Sequence, residues 1–161
     1  MGIRMARTNI ILGGKMEVDI DLRFLSDGDQ LKDIYRPGNG ATFSAACDTV
    51  SIHPDLGIVE MPVYVLSVNP DHPMLKGTKY NALSFILKFT GEVYVDCTGI
   101  ANWKRSLRVQ GEKNSPRIEA TLTALGTVFR VTCTKCSVVD LKPAFVEVDY
   151  FNQKEHYESI K

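Results

Sequence analysis

The sequence has few of the residues from which enzyme, metal and membrane sites are usually built. Its 161 residues include one tryptophan, three histidines and four cysteines, and no apolar run approaches the ~20 residues that a membrane helix needs. It carries no P-loop or G-x-G-x-x-G pattern between a strand and a helix, and no G-x-S-x-G nucleophile motif. We therefore expect a protein that is not an enzyme, with no catalytic residues, no cofactor and no membrane partner.

The chain also lacks an excess of charge of either sign. Nineteen basic residues balance nineteen acidic residues, so no overall field draws the protein to DNA or to an anionic membrane. A polyanion would have to be held by a local basic patch.

Signals for export are missing as well. Met1 to Thr8 are followed only by the short apolar run Ile10 to Leu12, which is not the apolar region of a secretory signal. The sequence contains no Asn-x-Ser/Thr glycosylation site, and the close pair Cys133 and Cys136 does not suggest a disulfide framework. We expect reduced thiols and an intracellular, cytoplasmic location, or incorporation in a virion.

What the sequence does have is alternation of apolar and charged residues. From Met16 to Phe24 every second residue is apolar, and the residues between them are charged. Side chains on a strand point to opposite faces with period two, so this segment predicts a strand with one buried face. The same rhythm returns along most of the chain. It predicts an all-β fold with minor helix, as a single domain over 1–161: an antiparallel β-sandwich or barrel of about eight to ten strands.

Turn residues divide the alternating segments into predicted hairpins. Gly13-Gly14 predicts a hairpin between Thr8–Leu12 and Lys15–Leu25, because paired glycines supply the positive φ angles of tight turns. We expect two further hairpins, which join Tyr80–Phe89 to Val93–Cys97 and Arg105–Gln110 to Arg117–Ala124. The remaining predicted strands are Ala41–Ile52, Ile58–Val68, Val128–Cys133, Val138–Leu141 and Ala144–Phe151.

Three segments do not read as strands. Residues 26–40 and 69–79 are rich in Asp, Pro and Gly, and predict extended surface loops. The polar C-terminal tail 152–161 is the best candidate for a helix outside the loops, although it would need a surface on which to dock.

The motif Cys133-Thr134-Lys135-Cys136 is the most specific local pattern, because C-x-x-C at a turn places two thiolates on one tetrahedral ion. A zinc site at Cys133 and Cys136 would take further ligands from Cys47, Cys97 or a histidine. The alternative is that these thiols are inert, since Cys97 and Cys133 fall on the apolar registers of their strands. We favour inert core thiols, because no second close cysteine pair exists.

A basic cluster near the only tryptophan is the best candidate for ligand binding. Arginines on one hairpin face can follow a phosphate backbone while an aromatic ring stacks on a base. The residues are Trp103, Lys104, Arg105, Arg108 and Arg117. Glu112 and Glu119 interrupt this patch, so a nucleic-acid or carbohydrate binding module is the alternative function and not the favoured one.

Histidines and carboxylates do not point to catalysis. His53 and His72 each precede a proline, and His156 lies in the polar tail, so none is paired with a marked nucleophile. Rows such as Glu17, Asp19 and Asp21 are typical of the solvated face of a strand.

These observations together favour a structural protein that acts through protein–protein contacts. Rigid β scaffolds join to neighbours through sheet edges and long loops. We therefore expect a homo-oligomeric subunit of a larger particle, such as a virion, capsid or tail component. Its expected partners are copies of itself and neighbouring assembly proteins.

Overall fold

The computed structural model describes residues 8–11, 15–31, 40–47, 49–66, 68, 70–99, 105–112, 114–124, 126–149 and 154–159. Its regular structure consists almost entirely of strands, with two short 3-10 turns at Leu22–Phe24 and Gly28–Leu31. The strands are β1 (Thr8–Ile11), β2 (Lys15–Asp21), β3 (Leu25–Ser26), β4 (Gly40–Cys47), β5 (Thr49–His53), β6 (Ile58–Val65), β7 (Ala82–Thr90), β8 (Tyr94–Gly99), β9 (Ser106–Gly111), β10 (Ile118–Ala124), β11 (Thr127–Cys133), β12 (Lys135–Asp149) and β13 (Lys154–Ser159).

Ten of these strands form one hydrogen-bonded path in the order β13-β12-β7-β6-β4-β2-β9-β10-β11-β8. The path divides into two mixed sheets of five strands each. β4 joins them, because it pairs with β2 over Gly40–Ala46 and with β6 over Ala45–Cys47. The short strands β1, β3 and β5 attach beside this path.

The two sheets share one core. Phe85 and Val63 of the first sheet and Leu107 and Leu122 of the second belong to the same buried apolar cluster. Within the described residues the end strands β13 and β8 do not pair with each other, so the sheets form a sandwich and not a closed barrel. The predicted all-β sandwich is confirmed.

Burial follows the alternation that the sequence predicts. Met16, Val18 and Ile20 of β2 are buried, whereas Glu17 and Asp19 are exposed. The apolar residues that alternate along β9 and β10 are also buried: Leu107, Val109, Ile118, Ala120 and Leu122.

β2 ends earlier than the alternation predicts, at Asp21 and not at Leu25. The Asp21 side chain accepts a hydrogen bond from the Arg23 backbone N–H at 3.2 Å, and an ion pair of 2.7 Å joins the two side chains. A side-chain acceptor of this kind offers the backbone an alternative to the strand ladder and starts a turn. The alternation therefore continues past the point where the strand stops.

Two of the three predicted hairpins are wrong. β1 pairs with β5 and not with β2, and β7 pairs with β6 and β12 and not with β8. The hairpin of β9 and β10 is confirmed. β2 runs parallel to β9, and β3 runs parallel to β12, so the sheets are not purely antiparallel. Apolar alternation determines which face of a strand is buried, but it does not determine the neighbour.

β12 is one long strand where the sequence predicted two. A bulge places Asp140 and Leu141 opposite Phe85 of β7, and Asp140 has a φ of 58°. The extra residue shifts the alternation, so Ala144 and Val146 join Ala82 in a second, smaller cluster away from the main core.

The prediction of a helix in the C-terminal tail is also wrong. Lys154–Ser159 forms β13, which pairs antiparallel with Ala144–Asp149 of β12. A short polar helix is marginal in water, whereas the second half of β12 offers an open edge with backbone groups to pair.

The predicted loops are consistent with the described parts of their segments. In residues 26–40 the described part contains the turn Gly28–Leu31, and Leu31 anchors it with its side chain fully buried. Residues 32–39 lie outside the described part. Residues 70–79 form turns, in which Leu75 is buried.

Candidate functional site

The outer face of the second sheet carries a row of paired charges. In the strand register Asp19 lies opposite Arg108, Arg108 opposite Thr121, Thr121 opposite Arg130, and Arg130 opposite Asp96. The row therefore crosses β2, β9, β10, β11 and β8, and it has carboxylates at its ends and guanidinium groups inside. Among the described side chains of this row, one ion pair is closer than 4 Å. It joins Arg130 Nη1 to Asp96 Oδ2 at 3.9 Å.

A shallow groove of about 540 Å³ runs over this face. Three carboxylates and two guanidinium groups line it, together with hydroxyl and amide groups, so it offers both donors and acceptors. The lining residues are Glu17, Asp19, Ser106, Leu107, Arg108, Gln110, Glu119, Thr121 and Arg130. Mixed charge of this kind can hold a polar ligand, but it does not form the positive surface that a polyanion needs.

Three residues of the predicted basic cluster are described, and two of them, Arg108 and Arg117, lie apart. Arg108 lies in the groove, opposite Thr121 of β10. Arg117 lies just before β10, four residues from Thr121. Four residues of a strand span about 13 Å. Arg105 is half-buried just before β9, and Trp103 and Lys104 lie outside the described residues.

The arginine that does join Arg108 in the groove is Arg130, which the sequence analysis missed. Arg130 stands between Phe129 and Val131 on β11, and both neighbours are buried. The alternation of β11 therefore placed Arg130 on the outer face. It did not reveal that β11 and β9 lie on the two sides of β10.

The two thiols of the C-x-x-C motif lie where β11 passes into β12, and both are buried. Burial raises the pKa of Cys133 to about 11 and raises the pKa of Cys136 further, with a contribution from the neighbouring Cys133. A structural zinc ion takes four ligands, of which Cys133 and Cys136 would supply two. No group of three or more His, Cys, Asp and Glu side chains is placed to hold a metal ion in the described part of the chain.

Two histidines make structural contacts. His72 Nδ1 accepts a hydrogen bond from the Met74 backbone N–H at 3.1 Å, which fixes the turn after Asp71. His53 Nε2 lies 3.1 Å from Glu60 Oε1, although the two groups do not have hydrogen-bond geometry. Both side chains are half-buried. For His156 the structure describes only the backbone, on β13.

The last strand of the second sheet is unusual because none of its residues is buried. Every residue of β8 from Tyr94 to Gly99 is exposed. Three large apolar side chains of the described residues are well exposed, and two of them, Tyr94 at 63% and Val95 at 40%, lie on β8. The third is Leu56, in a turn.

β8 extends beyond the part of the sheet that the opposite sheet covers. Val95 and Cys97 lie opposite Val131 and Phe129, whose side chains are in the core, yet both remain exposed. The prediction that Cys97 is buried is therefore wrong, although its register was right. One side of β8 pairs with β11, and no other strand of the described residues pairs with the opposite side. Within the described part of the chain, alternate N–H and C=O groups along that side therefore have no strand partner.

No family model, curated protein or solved structure matches this chain. Among the described residues, no helix is long and apolar enough to cross a membrane.

Proposed function

We propose that this protein is a non-catalytic structural subunit that acts through protein–protein contacts. In this proposal it forms a homo-oligomer within a larger assembly inside the cell, and a virion or tail particle is the setting we favour. The observation that carries the proposal is the exposed edge strand β8. The choice of a viral particle rests on analogy of architecture alone.

The composition of β8 favours an edge that pairs with another strand over an edge that is protected from such pairing. Monomeric β proteins protect their edges with lysines, prolines, bulges or very short strands. The sequence of β8, Tyr-Val-Asp-Cys-Thr-Gly, contains one charged residue and no proline, and its register with β11 runs without a bulge. An exposed strand of this kind is a template on which a further strand can add.

Light scattering after size-exclusion chromatography tests this proposal, with the full chain at several concentrations and salt levels. We expect a discrete multimer that persists in high salt, because backbone pairing and apolar contacts are weakly screened. Val95→Lys should shift the mass toward the monomer, since a charge on the edge opposes strand addition.

Leu56→Lys is the matched control, because it makes the same kind of change at an exposed apolar residue away from β8. Its mass should equal that of the unmodified protein. A wild-type protein that stays monomeric at every concentration would contradict the proposal.

The groove favours a second candidate, a binding module for carbohydrate or nucleic acid. Arg108 and Arg130 supply donors, but Glu17, Asp19 and Glu119 give the groove more negative than positive groups. This balance fits a neutral polar ligand better than a phosphate backbone.

The same chromatography with single-stranded DNA at low salt tests the nucleic-acid form of the second candidate. We expect no shift with DNA, and we expect Arg108→Glu combined with Arg117→Glu to leave the fold intact, because both side chains are exposed. A monomer that shifts with DNA, and no longer shifts in the double variant, would support the binding module.

A further inference from the structure

We propose that β8 pairs antiparallel with β8 of a second copy of this chain, about a two-fold axis that places Val95 opposite Val95. This inference rests on the proposed function, and it adds the partner and the register. The joined strands would make one continuous ten-stranded sheet from the five-stranded second sheets of the two copies.

The geometry of a sheet limits the registers. Residues that lie directly opposite each other in an antiparallel pair point to the same face. On β8 Val95 and Cys97 share the core-facing side, while Tyr94, Asp96 and Thr98 share the outer side. A two-fold axis normal to the sheet keeps the core-facing sides of the two copies on the same face. Residues that lie opposite each other are then an even number of positions apart in the sequence, so the axis must pass between two copies of the same residue. Near the middle of the strand, the axis can lie at Val95, Asp96 or Cys97.

Repulsion between like charges excludes one of these three registers. With the axis at Asp96, the two Asp96 carboxylates would lie directly opposite each other, and like charges in that position are destabilising. With the axis at Cys97, Val95 would face Gly99 and lose an apolar contact. Of the two axes that remain, the one at Val95 therefore gives more apolar pairs.

The Val95 register also matches the remaining side chains. On the core-facing side it sets Val95 against Val95 and Cys97 against Val93, so the exposed apolar rim of each copy is covered by the other. On the outer side it sets Tyr94 beside Asp96, which is paired with Arg130 at 3.9 Å. An aromatic ring in that position can also contact the guanidinium group.

Cysteine cross-linking tests the register directly. Cys97 is the one exposed cysteine of the four, so Cys97→Ser removes the accessible thiol and Val95→Cys then introduces a new one. Opposite residues have Cβ atoms about 4.5–5.5 Å apart, close to what a disulfide needs. With a mild oxidant we expect Val95→Cys in the Cys97→Ser background to give a disulfide-linked dimer. Leu56→Cys in the same background is the control and should stay unlinked.

The unmodified protein supplies the opposite control. In the Val95 register the two Cys97 residues are offset by four residues, about 13 Å, so native Cys97 should not cross-link. Cross-linking through native Cys97 and not through Val95→Cys would overturn the register, and a ring or filament in which neither pair cross-links would overturn the two-fold axis. In both cases the protein still assembles and the proposed function stands. A monomer under all conditions would remove the proposed function itself.

A second measurement uses affinity in place of oxidation. Because Val95 meets its own copy, Val95→Lys would set two lysines opposite each other, and we expect the dimer dissociation constant to rise at least about tenfold. Leu56→Lys should leave the constant unchanged. An equal effect of the two substitutions would overturn the Val95 contact.

Discussion

Cys97 and Cys133 face the same side of the second sheet, yet their surroundings give them different chemistry. Cys133 is 1% exposed, and its burial raises the pKa to about 11. Cys97 lies on the overhanging strand β8 and is exposed. Position within the sheet, more than the residue type or its register, therefore decides which thiol can react.

Thiol labelling should show this difference. A thiol-reactive reagent at pH 8, used at a protein concentration low enough to keep the chain monomeric, should label one cysteine per native chain, at Cys97, because reaction requires both access and thiolate. Cys47, Cys133 and Cys136 should react only after unfolding in urea. Mass spectrometry of the labelled peptides measures the outcome, and rapid native labelling of Cys133 or Cys136 would show that these thiols are not enclosed as described.

Asn81 illustrates how one amide side chain can replace a stretch of strand. Its Nδ2 donates to the Val146 carbonyl at 2.9 Å, and the Val146 N–H donates to its Oδ1 at 2.8 Å. The side chain thereby extends the pairing of β12 past the start of β7. Its partner Val146 lies 65 residues along the chain, so the sequence around Asn81 could not reveal its role.

Asn81→Ala should lower the free energy of unfolding by about 1–2 kcal/mol, because two hydrogen bonds to backbone are lost. Urea denaturation followed by circular dichroism measures the change. Gln110→Ala is the control, since Gln110 is an exposed amide in the groove, and its effect should stay within about 0.5 kcal/mol. Equal effects of the two substitutions would contradict the role assigned to Asn81.

At the scale of elements, a glycine lets the end of β9 pack closely. The ring of Phe24, in the turn after β2, lies against Gly111, and a Cβ at Gly111 would collide with it. β2 and β9 run parallel, so this contact helps fix how the turn folds back on the sheet.

Gly111→Ala should therefore lower the free energy of unfolding by about 1–3 kcal/mol, because the ring has to move. In a Phe24→Ala background the same substitution should cost less, since the collision is gone. Gly99→Ala is the matched control, because no atom lies within 4 Å of a Cβ placed there. Additive costs of Gly111→Ala and Phe24→Ala would show that the two residues do not interact.

The strands show how far sequence patterns predict this fold. The alternation in β2, β9 and β10 predicted which side chains are buried, because burial depends on local period. It did not predict that β1 joins β5 or that β8 joins β11, because pairing across many residues depends on the whole core. The tail was misjudged for the same reason: its strand β13 exists through the edge of β12.

The candidate site was predicted only in part. Arg108 was found as an outward residue of a hairpin, but its neighbour Arg130 comes from a strand that the sequence did not place beside it. The exposed edge was not predicted, because Val95 and Cys97 carry the same pattern as core residues. Only the three-dimensional arrangement shows that the opposite sheet does not cover them.

At the scale of the whole molecule, the account depends on what the free side of β8 contacts. The sandwich core encloses the apolar faces of the two sheets, whereas β8 keeps apolar groups and backbone groups exposed. An edge of this kind in a protein at high local concentration favours self-association.

Hydrogen–deuterium exchange of the β8 amides, measured at a low and a high protein concentration, tests this claim most directly. We expect amides within residues 94–99 to exchange more slowly at high concentration, because those on the free side gain partners. Exchange in β6 and β7, which lie inside the first sheet, should be the same at both concentrations. Unchanged exchange in β8 while the protein forms a multimer would contradict the account.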